Sequence, residues 1–173
     1  AELFVNGKSQ GRVRKNPKER LDRYRLRWND VKYEPGEIKV IAFDERGEKI
    51  GEDVRQTAGK AVQLVAQAET EVHKADGEDL IYVHISVTDK KGVPVPTCQD
   101  ALTFNVSGEA KFEAVCNGDA TSLESFKQPQ MKLFNGELVV ILRPTTSAGH
   151  VTLTVKDQRG KLKPAILSFT TTK

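Results

Sequence analysis

The sequence predicts an all-β protein that folds as two β-sandwich domains in tandem, and three observations support this prediction. The 173 residues include 18 Val and 13 Thr, residue types that favour strands over helices. Short segments of alternating apolar and polar residues follow one another along the chain, separated by residues typical of turns. The length exceeds the commonest domain size of roughly 100–150 residues, which leaves room for two small domains.

Five short strands are predicted in the first domain, which covers residues 1–58. The pair Asn6-Gly7 tolerates positive φ and reverses a hairpin, and Pro35-Gly36 forms a second turn because Pro fixes φ before a permissive Gly. Strands this short and evenly punctuated are typical of a β-sandwich. The predicted strands are Glu2–Val5, Lys8–Val13, Tyr24–Trp28, Ile38–Phe43 and Lys49–Thr57.

The second domain, residues 59–173, begins where the strand pattern restarts after Ala58-Gly59. Residues 60–75 fit both a helical stripe and strict alternation, and we favour a strand because the turn signal Asp76-Gly77 and a clear strand follow. Seven strands in about 115 residues are what an immunoglobulin-like sandwich needs. The predicted strands are Lys60–Ala75, Leu80–Asp89, Ala101–Ser107, Lys111–Cys116, Glu137–Arg143, His150–Lys156 and Ala165–Thr171.

Hydropathy and charge exclude a membrane span and locate one basic run. The longest unbroken apolar run, Leu138–Leu142, is far shorter than the roughly 20 residues that cross a bilayer. The net charge is +3, but Lys8–Arg27 carries nine Lys and Arg against two acidic residues, which leaves −4 for the rest. We interpret this run as the solvated face of the Tyr24–Trp28 strand and expect no nucleic-acid partner. Salt-sensitive binding to heparin or DNA would revive that alternative.

Residues that bind metals are too few or too scattered to predict a metal site. Cys98 and Cys116 form either a disulfide or two free buried thiols, and the sequence leaves both open. Asp76, Asp79 and Asp89 carry oxygen ligands that suit calcium, but Asp beside Gly is more typical of turn chemistry. We therefore expect neither a metal nor a cofactor.

No pattern of reactive residues predicts catalysis. Asp119 and Glu124 lie close in one loop, yet acid–base chemistry needs two carboxylates held at a fixed separation in a cleft. Ser122 and Ser125 lack the Gly-x-Ser-x-Gly context of a nucleophile elbow. No glycine-rich loop ends in Lys and Ser or Thr, as a phosphate-binding loop does. We expect no catalytic residue in this chain.

Two series of motifs, one in each half of the chain, carry a family resemblance. The first series comprises Glu2 to Gly11, Tyr33-Glu34-Pro35-Gly36, Ala42, Asp44, Gly47 and Arg55 to Gly59. The second comprises Lys74 to Gly77, Val87-Thr88-Asp89, Gly92 to Pro96, Thr103 to Gly108, Asn117-Gly118-Asp119, Ser122, Glu124, Phe126, Phe134-Asn135-Gly136 and Arg143. In order and spacing they resemble the domains that follow the catalytic barrel in bacterial β-galactosidases of glycoside hydrolase family 2. The second half is also similar to immunoglobulin-like repeats of bacterial adhesins.

The resemblance implies a non-catalytic C-terminal fragment of a larger bacterial enzyme. In that family two barrel glutamates about 5 Å apart perform retaining hydrolysis of terminal β-galactosides, and neither lies in this sequence. The missing catalytic barrel and other domains of the same polypeptide are therefore the expected partners. The family's first tail domain opens with a strand before the position of Glu2, so the first immunoglobulin-like domain is expected to be truncated at its N-terminus. A periplasmic or extracellular location is expected on the same ground.

The segment Asn117–Asn135 is the candidate surface for docking against another domain. It lacks periodicity, and long ordered loops in compact domains are often functional. Phe126 is the candidate apolar anchor of this surface. The docking candidates are Asn117, Asp119, Ser122, Glu124, Phe126, Phe134 and Asn135.

Two alternative functions stay open. A carbohydrate-binding module would stack sugar rings on aromatic side chains, and Trp28 and Tyr24 are the candidates, although core packing is the simpler role for Trp28. An adhesin-type stalk of tandem immunoglobulin-like modules would predict further repeats upstream of this chain. The glycosidase fragment predicts a barrel in that place.

Overall fold

The computed structural model describes all 173 residues, and every regular element in it is a β-strand. The predicted all-β fold class is confirmed. The chain forms two compact units, Ala1–Thr57 and Ala58–Lys173. The structure contains no apolar helix of membrane-spanning length.

The first unit contains one sheet of four strands. They are β1 (Glu2–Val5), β2 (Lys8–Arg12), β3 (Glu37–Phe43) and β4 (Lys49–Gln56). All neighbours are antiparallel, in the order β2-β1-β3-β4. Asn6 and Gly7 adopt positive φ angles of 49° and 78°, as the predicted hairpin turn between β1 and β2 requires. Leu3 and Val5 are the only buried apolar side chains, so this sheet has little core of its own.

The strand predicted over Tyr24–Trp28 is wrong, because no strand lies between β2 and β3. Tyr24 and Trp28 would share the inward face of such a strand. Trp28 is half-buried, but Tyr24 is 83% exposed. A strand also needs a neighbouring backbone to pair with, and this segment has none. Local bonds replace the ladder; for example, Arg25 Nε donates to Leu21 O at 3.0 Å. The interpretation of the basic run as a strand face is wrong for the same reason.

The second unit contains nine strands. They are β5 (Gln63–Ala68), β6 (His73–Lys74), β7 (Ile81–Thr88), β8 (Ala101–Gly108), β9 (Ala110–Cys116), β10 (Gln130–Lys132), β11 (Glu137–Pro144), β12 (Gly149–Asp157) and β13 (Ala165–Thr172). One sheet has the order β5-β7-β11-β9 and the other β10-β8-β12-β13-β6. All pairs are antiparallel except β6 with β13, which are parallel.

The two sheets of the second unit bury one common hydrophobic core, as a β-sandwich does. Successive side chains of a strand point to opposite faces, so every second residue of the central strands enters this core. The fully buried side chains from both sheets are Ile81, Val83, Ile85, Val87, Leu102, Val115, Met131, Val140, Leu142, Val151, Leu153 and Val155.

Two ambiguous stretches of the second unit are resolved by the structure. Residues 60–75 contain no helix, which confirms the choice of strand, but the single strand predicted there is wrong. The stretch contains two strands, β5 and β6, which belong to different sheets. The segment Asn117–Asn135, in contrast, contains a strand that its sequence does not indicate. This strand, β10, has three residues, and its central Met131 pairs with Leu102 of β8.

Candidate docking loop

The docking loop, residues Asn117–Asn135, runs between β9 and β11 and is fixed to the sandwich along its length. The Val115 amide donates to Phe126 O at 2.8 Å, and Asn117 Nδ2 donates to Lys132 O at 2.9 Å. Met131 and Leu133 bury their side chains in the hydrophobic core. The loop therefore has a defined conformation despite its lack of sequence periodicity.

The polar docking candidates are engaged within the loop itself. Asn117 Oδ1 accepts the Asp119 amide at 3.0 Å, and Asp119 Oδ1 accepts the hydroxyl and amide of Thr121 at 2.7 and 2.9 Å. These two bonds hold the pKa of Asp119 below its usual value. Ser122 Oγ likewise accepts the Glu124 amide at 3.2 Å. Side-chain acceptors of this kind stabilise turns, so these residues shape the loop.

Glu113 on β9 ties the base of the docking loop to β11. Its carboxylate pairs with Lys127 Nζ at 2.6 Å and with Arg143 Nε at 3.1 Å. The hydrogen bonds from Lys127 and Arg143 hold the pKa of Glu113 below its usual value, so the carboxylate is charged at neutral pH. Arg143 also donates to Glu78 O at 3.1 Å. Glu78 lies just before β7, which pairs with β11 on the side away from β9. Arg143, a residue of the family motifs, therefore has a structural role.

Three large apolar side chains on the docking loop are exposed. Phe126 is 52% exposed, Phe134 is 37% exposed and Leu123 is fully exposed. Leu123, between Ser122 and Glu124, is absent from the sequence-based candidates. Exposed apolar side chains mark contact surfaces where they form a contiguous patch, and these three are the loop's candidates for such a surface.

Asn135 and Gly136 form the turn that ends the docking loop. Their φ angles of 52° and 76° fit a type I′ hairpin turn, and Phe134 and Glu137 exchange backbone hydrogen bonds across it at 3.1 and 3.0 Å. A methyl group on Gly136 would overlap the carbonyl oxygen of Val95. Glycine is therefore required here by both its positive φ and a close backbone approach.

Acidic and thiol groups elsewhere in the second unit have structural surroundings. No three His, Cys, Asp or Glu side chains come together to hold a metal ion. Asp76 Oδ1 accepts the Asp79 amide at 2.7 Å, and Asp89 Oδ2 accepts the Gly59 amide at 2.8 Å, as expected of turn and loop residues. Cys98 and Cys116 are free thiols.

The two candidate sugar-stacking aromatics, both in the first unit, have different surroundings. The Trp28 indole N–H donates to Gly11 O at 2.9 Å, which fastens the segment after β2 to that strand. Tyr24 leaves most of its ring exposed, with the Arg23 guanidinium 5.9 Å from the ring centre. Tyr24 therefore has free ring area for a ligand, whereas Trp28 has an anchoring contact.

Comparison with known protein families assigns most of the chain. Residues 64–165 match the glycoside hydrolase family 2 C-terminal domain 5. The chain belongs to this family. Residues 1–51 match a second family, described as a domain of unknown function, DUF4982. The resemblance to the C-terminal domains of family 2 glycoside hydrolases is thereby confirmed.

Relatives of this family 2 C-terminal region match nearly the whole chain. Beta-galactosidase BoGH2A of Bacteroides ovatus is 37% identical over 97% of the chain and 19% of its own length. A family 2 member from Bacteroides cellulosilyticus is 28% identical with a TM-score of 0.90, over 99% of the chain and 21% of its own. A beta-glycosidase from Bacteroides vulgatus is 30% identical with a TM-score of 0.85, over 97% and 20%. The chain thus spans about a fifth of the length of these relatives.

Two glycines in the family motifs of this C-terminal region have a physical reason. Gly108 has a φ of 88°, and a methyl group there would overlap the carbonyl oxygen of His150 on the paired strand β12. A methyl group on Gly136 would likewise overlap the carbonyl oxygen of Val95. The motifs Thr103 to Gly108 and Phe134-Asn135-Gly136 therefore mark places where two backbones approach closely.

Proposed function

We propose that this chain is the non-catalytic C-terminal part of a retaining β-galactosidase, where it supports the catalytic domain. The observation that carries the proposal is the division of roles in the docking loop. Its carboxylates and hydroxyls bind the loop's own backbone, while Leu123 and Phe126 are exposed. The paired carboxylates of glycoside hydrolysis then belong to a separate catalytic domain of the same polypeptide.

Two findings support the parent reaction. The chain is 37% identical over 97% of its length to a beta-galactosidase, which favours hydrolysis of terminal β-galactosides. The match covers 19% of that relative, so most of such a polypeptide remains for catalysis. The chain's contribution is then a matter of packing against that remainder.

Burial of the exposed apolar side chains would stabilise docking against another domain. Burying a fully exposed Leu or Phe side chain contributes about 1.5–3 kcal/mol, and a half-exposed side chain contributes about half of that. Leu123 and Phe126 together therefore offer about 2–4 kcal/mol. The loop is already fixed by Glu113 and by its buried Met131, so little conformational entropy is lost when it docks.

Activity measurements test the division between this chain and the catalytic domain. The isolated 173-residue chain should leave a chromogenic β-galactoside intact, while the full-length polypeptide should cleave it. Cleavage by the isolated chain would overturn the proposal. A full-length polypeptide active on other glycosides and inactive on β-galactosides would overturn the assigned parent reaction.

A double variant tests docking in the full-length polypeptide. Leu123→Ala with Phe126→Ala should shorten the half-life of the glycosidase activity at elevated temperature, because the catalytic domain loses its support. Ile166→Ala is the matched control, since Ile166 is also an exposed apolar side chain but lies on β13, away from the docking loop. Equal half-lives for the double variant and the control would show that the docking loop has no such role.

A further inference from the structure

The β2–β3 segment, residues 13–36, concentrates positive charge in a folded, strand-free stretch of the first unit. It contains eight Lys and Arg against four Asp and Glu. Local bonds fold it: the Arg23 amide donates to Glu19 O at 2.9 Å, and Trp28 is fastened to Gly11. Connections longer than about 12–15 residues without secondary structure are uncommon in compact domains and are often functional.

A cavity of about 70 Å³ opens in this segment. Three arginines, Arg14, Arg25 and Arg27, line it together with Asp22, Asn29 and apolar side chains. This volume has room for a single carboxylate or sulfate group.

The arginines of this cavity are only partly neutralised. Arg27 Nε donates to Asp22 Oδ1 at 2.7 Å, and this bond holds the pKa of Asp22 below its usual value. Asp22 is therefore charged at neutral pH and offsets one guanidinium. Arg25 donates through Nε to Leu21 O, which leaves its two terminal nitrogens without a protein acceptor. Arg14 makes no hydrogen bond to the protein through its side chain, so two uncompensated positive charges remain at the cavity.

We propose that this cavity binds an acidic group of a polysaccharide, so that the first unit is a non-catalytic site for acidic glycans. The two terminal nitrogens of a guanidinium form a planar fork that binds a carboxylate or sulfate through parallel hydrogen bonds. Arg14 and Arg25 have such forks free, and Asn29 adds a neutral amide donor. Tyr24, next to Arg25 in the chain, offers an exposed ring on which a sugar can stack.

The choice of a glycan over a nucleic acid rests on the proposed function, since family 2 glycoside hydrolases act on glycans. It also fits the geometry. Single-stranded nucleic acid binds along a basic groove with a series of stacking aromatics. The cavity in the first unit is small, and of the unit's two exposed tyrosines, Tyr33 is joined through its hydroxyl to Thr57 at 3.2 Å.

Calorimetric titration of the whole 173-residue chain tests the proposal. The probes are an oligogalacturonate, a neutral galactan oligosaccharide of the same length and a single-stranded oligonucleotide of the same charge. At about 50 mM salt the oligogalacturonate should bind and the neutral oligosaccharide should not. Arg14→Gln should weaken binding about tenfold and Arg14→Gln with Arg25→Gln about a hundredfold, one charge-assisted contact being lost at each step.

A second double variant separates the cavity from general attraction by the basic segment. Lys18→Gln with Arg20→Gln also removes two positive charges from the β2–β3 segment, but it leaves the residues that line the cavity unchanged. It should change the affinity by less than about threefold. Arg14→Gln alone keeps the test valid if the cavity double variant fails to fold, because that side chain holds no hydrogen bond.

Three results would overturn the acidic-glycan site. They are equal weakening by the two double variants, tighter binding of the oligonucleotide than of the oligogalacturonate, and no binding of the oligogalacturonate at all. None of these results bears on the docking loop, because the proposed function is measured by glycosidase activity. Failure of one proposal is therefore distinguishable from failure of the other.

Discussion

Gly136 and Gly118 form a natural pair for testing how a close backbone approach stabilises the second unit. Each follows an Asn, and each has a φ of 76°. Alanine at either position therefore suffers the same left-handed strain of about 1–2 kcal/mol. The surroundings differ, since Gly118 has nothing within 4 Å of an added methyl group. At Gly136 the methyl group would lie within 3.0 Å of the Val95 carbonyl oxygen, closer than real Cβ contacts.

The overlap at Gly136 adds a second cost to the backbone strain. Val95 is buried, and its amide donates to Val87 O at 2.9 Å, so its backbone moves only by disturbing the core. Overpacking of this kind costs about 1–3 kcal/mol. We therefore expect Gly136→Ala to lower the free energy of unfolding by about 2–5 kcal/mol, and Gly118→Ala by about 1–2 kcal/mol.

Cys98 reports on the second unit alone. Its thiol is buried and desolvation raises its pKa, so it alkylates slowly until the unit unfolds. In a Cys116→Ser background it is the single thiol, and pulsed alkylation across a urea series gives the unfolding midpoint of this unit. A probe that reports on the whole chain would combine the unfolding transitions of its two compact units in one signal. Equal midpoints for Gly136→Ala and Gly118→Ala would refute the argument from the Val95 contact.

Further outcomes follow from burial and charge in the second unit. Leu142→Ala should lower the free energy of unfolding by about 2–5 kcal/mol in urea titration, whereas the fully exposed Leu123→Ala should stay within about 0.5 kcal/mol of the parent. Asp89 accepts the amides of Gly59, Val93 and Lys91, which hold its pKa below its usual value, so the charged carboxylate stabilises the fold above the pKa of an unfolded Asp. That stability should fall as the pH drops through the lower folded pKa, and Asp89→Asn should flatten this acid limb of the unfolding midpoint. Thiol titration without reductant should find two reactive thiols in denaturant, Cys116 reacting first under native conditions because it is less buried.

Most of the strands could be predicted from the sequence because burial and turns leave local marks. Ile81, Val83, Ile85 and Val87 alternate with polar residues, and all four are fully or almost fully buried. Strand ends were predicted to within a few residues where Asn, Asp or Gly follows. β10 was missed because it has three residues and one buried side chain, Met131, too short for alternation to be visible.

The sequence predicts where the docking loop lies but not the hydrogen-bond partners of its side chains. Its length and lack of periodicity are visible, whereas the partner of each polar side chain depends on the folded path of the backbone. Asp119 and Glu124 therefore read as surface carboxylates, although Asp119 bonds Thr121 and Glu124 accepts the Lys132 amide at 3.3 Å. Exposed Leu123 was overlooked because a lone Leu in a loop more often packs than protrudes.

The two alternating stretches, residues 60–68 and Tyr24–Trp28, show what periodicity leaves out. In the first, β5 lies beside β7, and the Leu64 amide also donates to Lys163 O at 2.9 Å, so its backbone is paired. In the second, the segment pairs with no strand, although β2 and β4 each have only one neighbour in the four-stranded sheet. Its backbone instead makes local bonds, and Arg25 and Arg27 act on the Asp22 carboxylate, where a strand would have spread them along a solvated face. The cavity lined by these residues therefore lies in a segment whose backbone pairs with no strand.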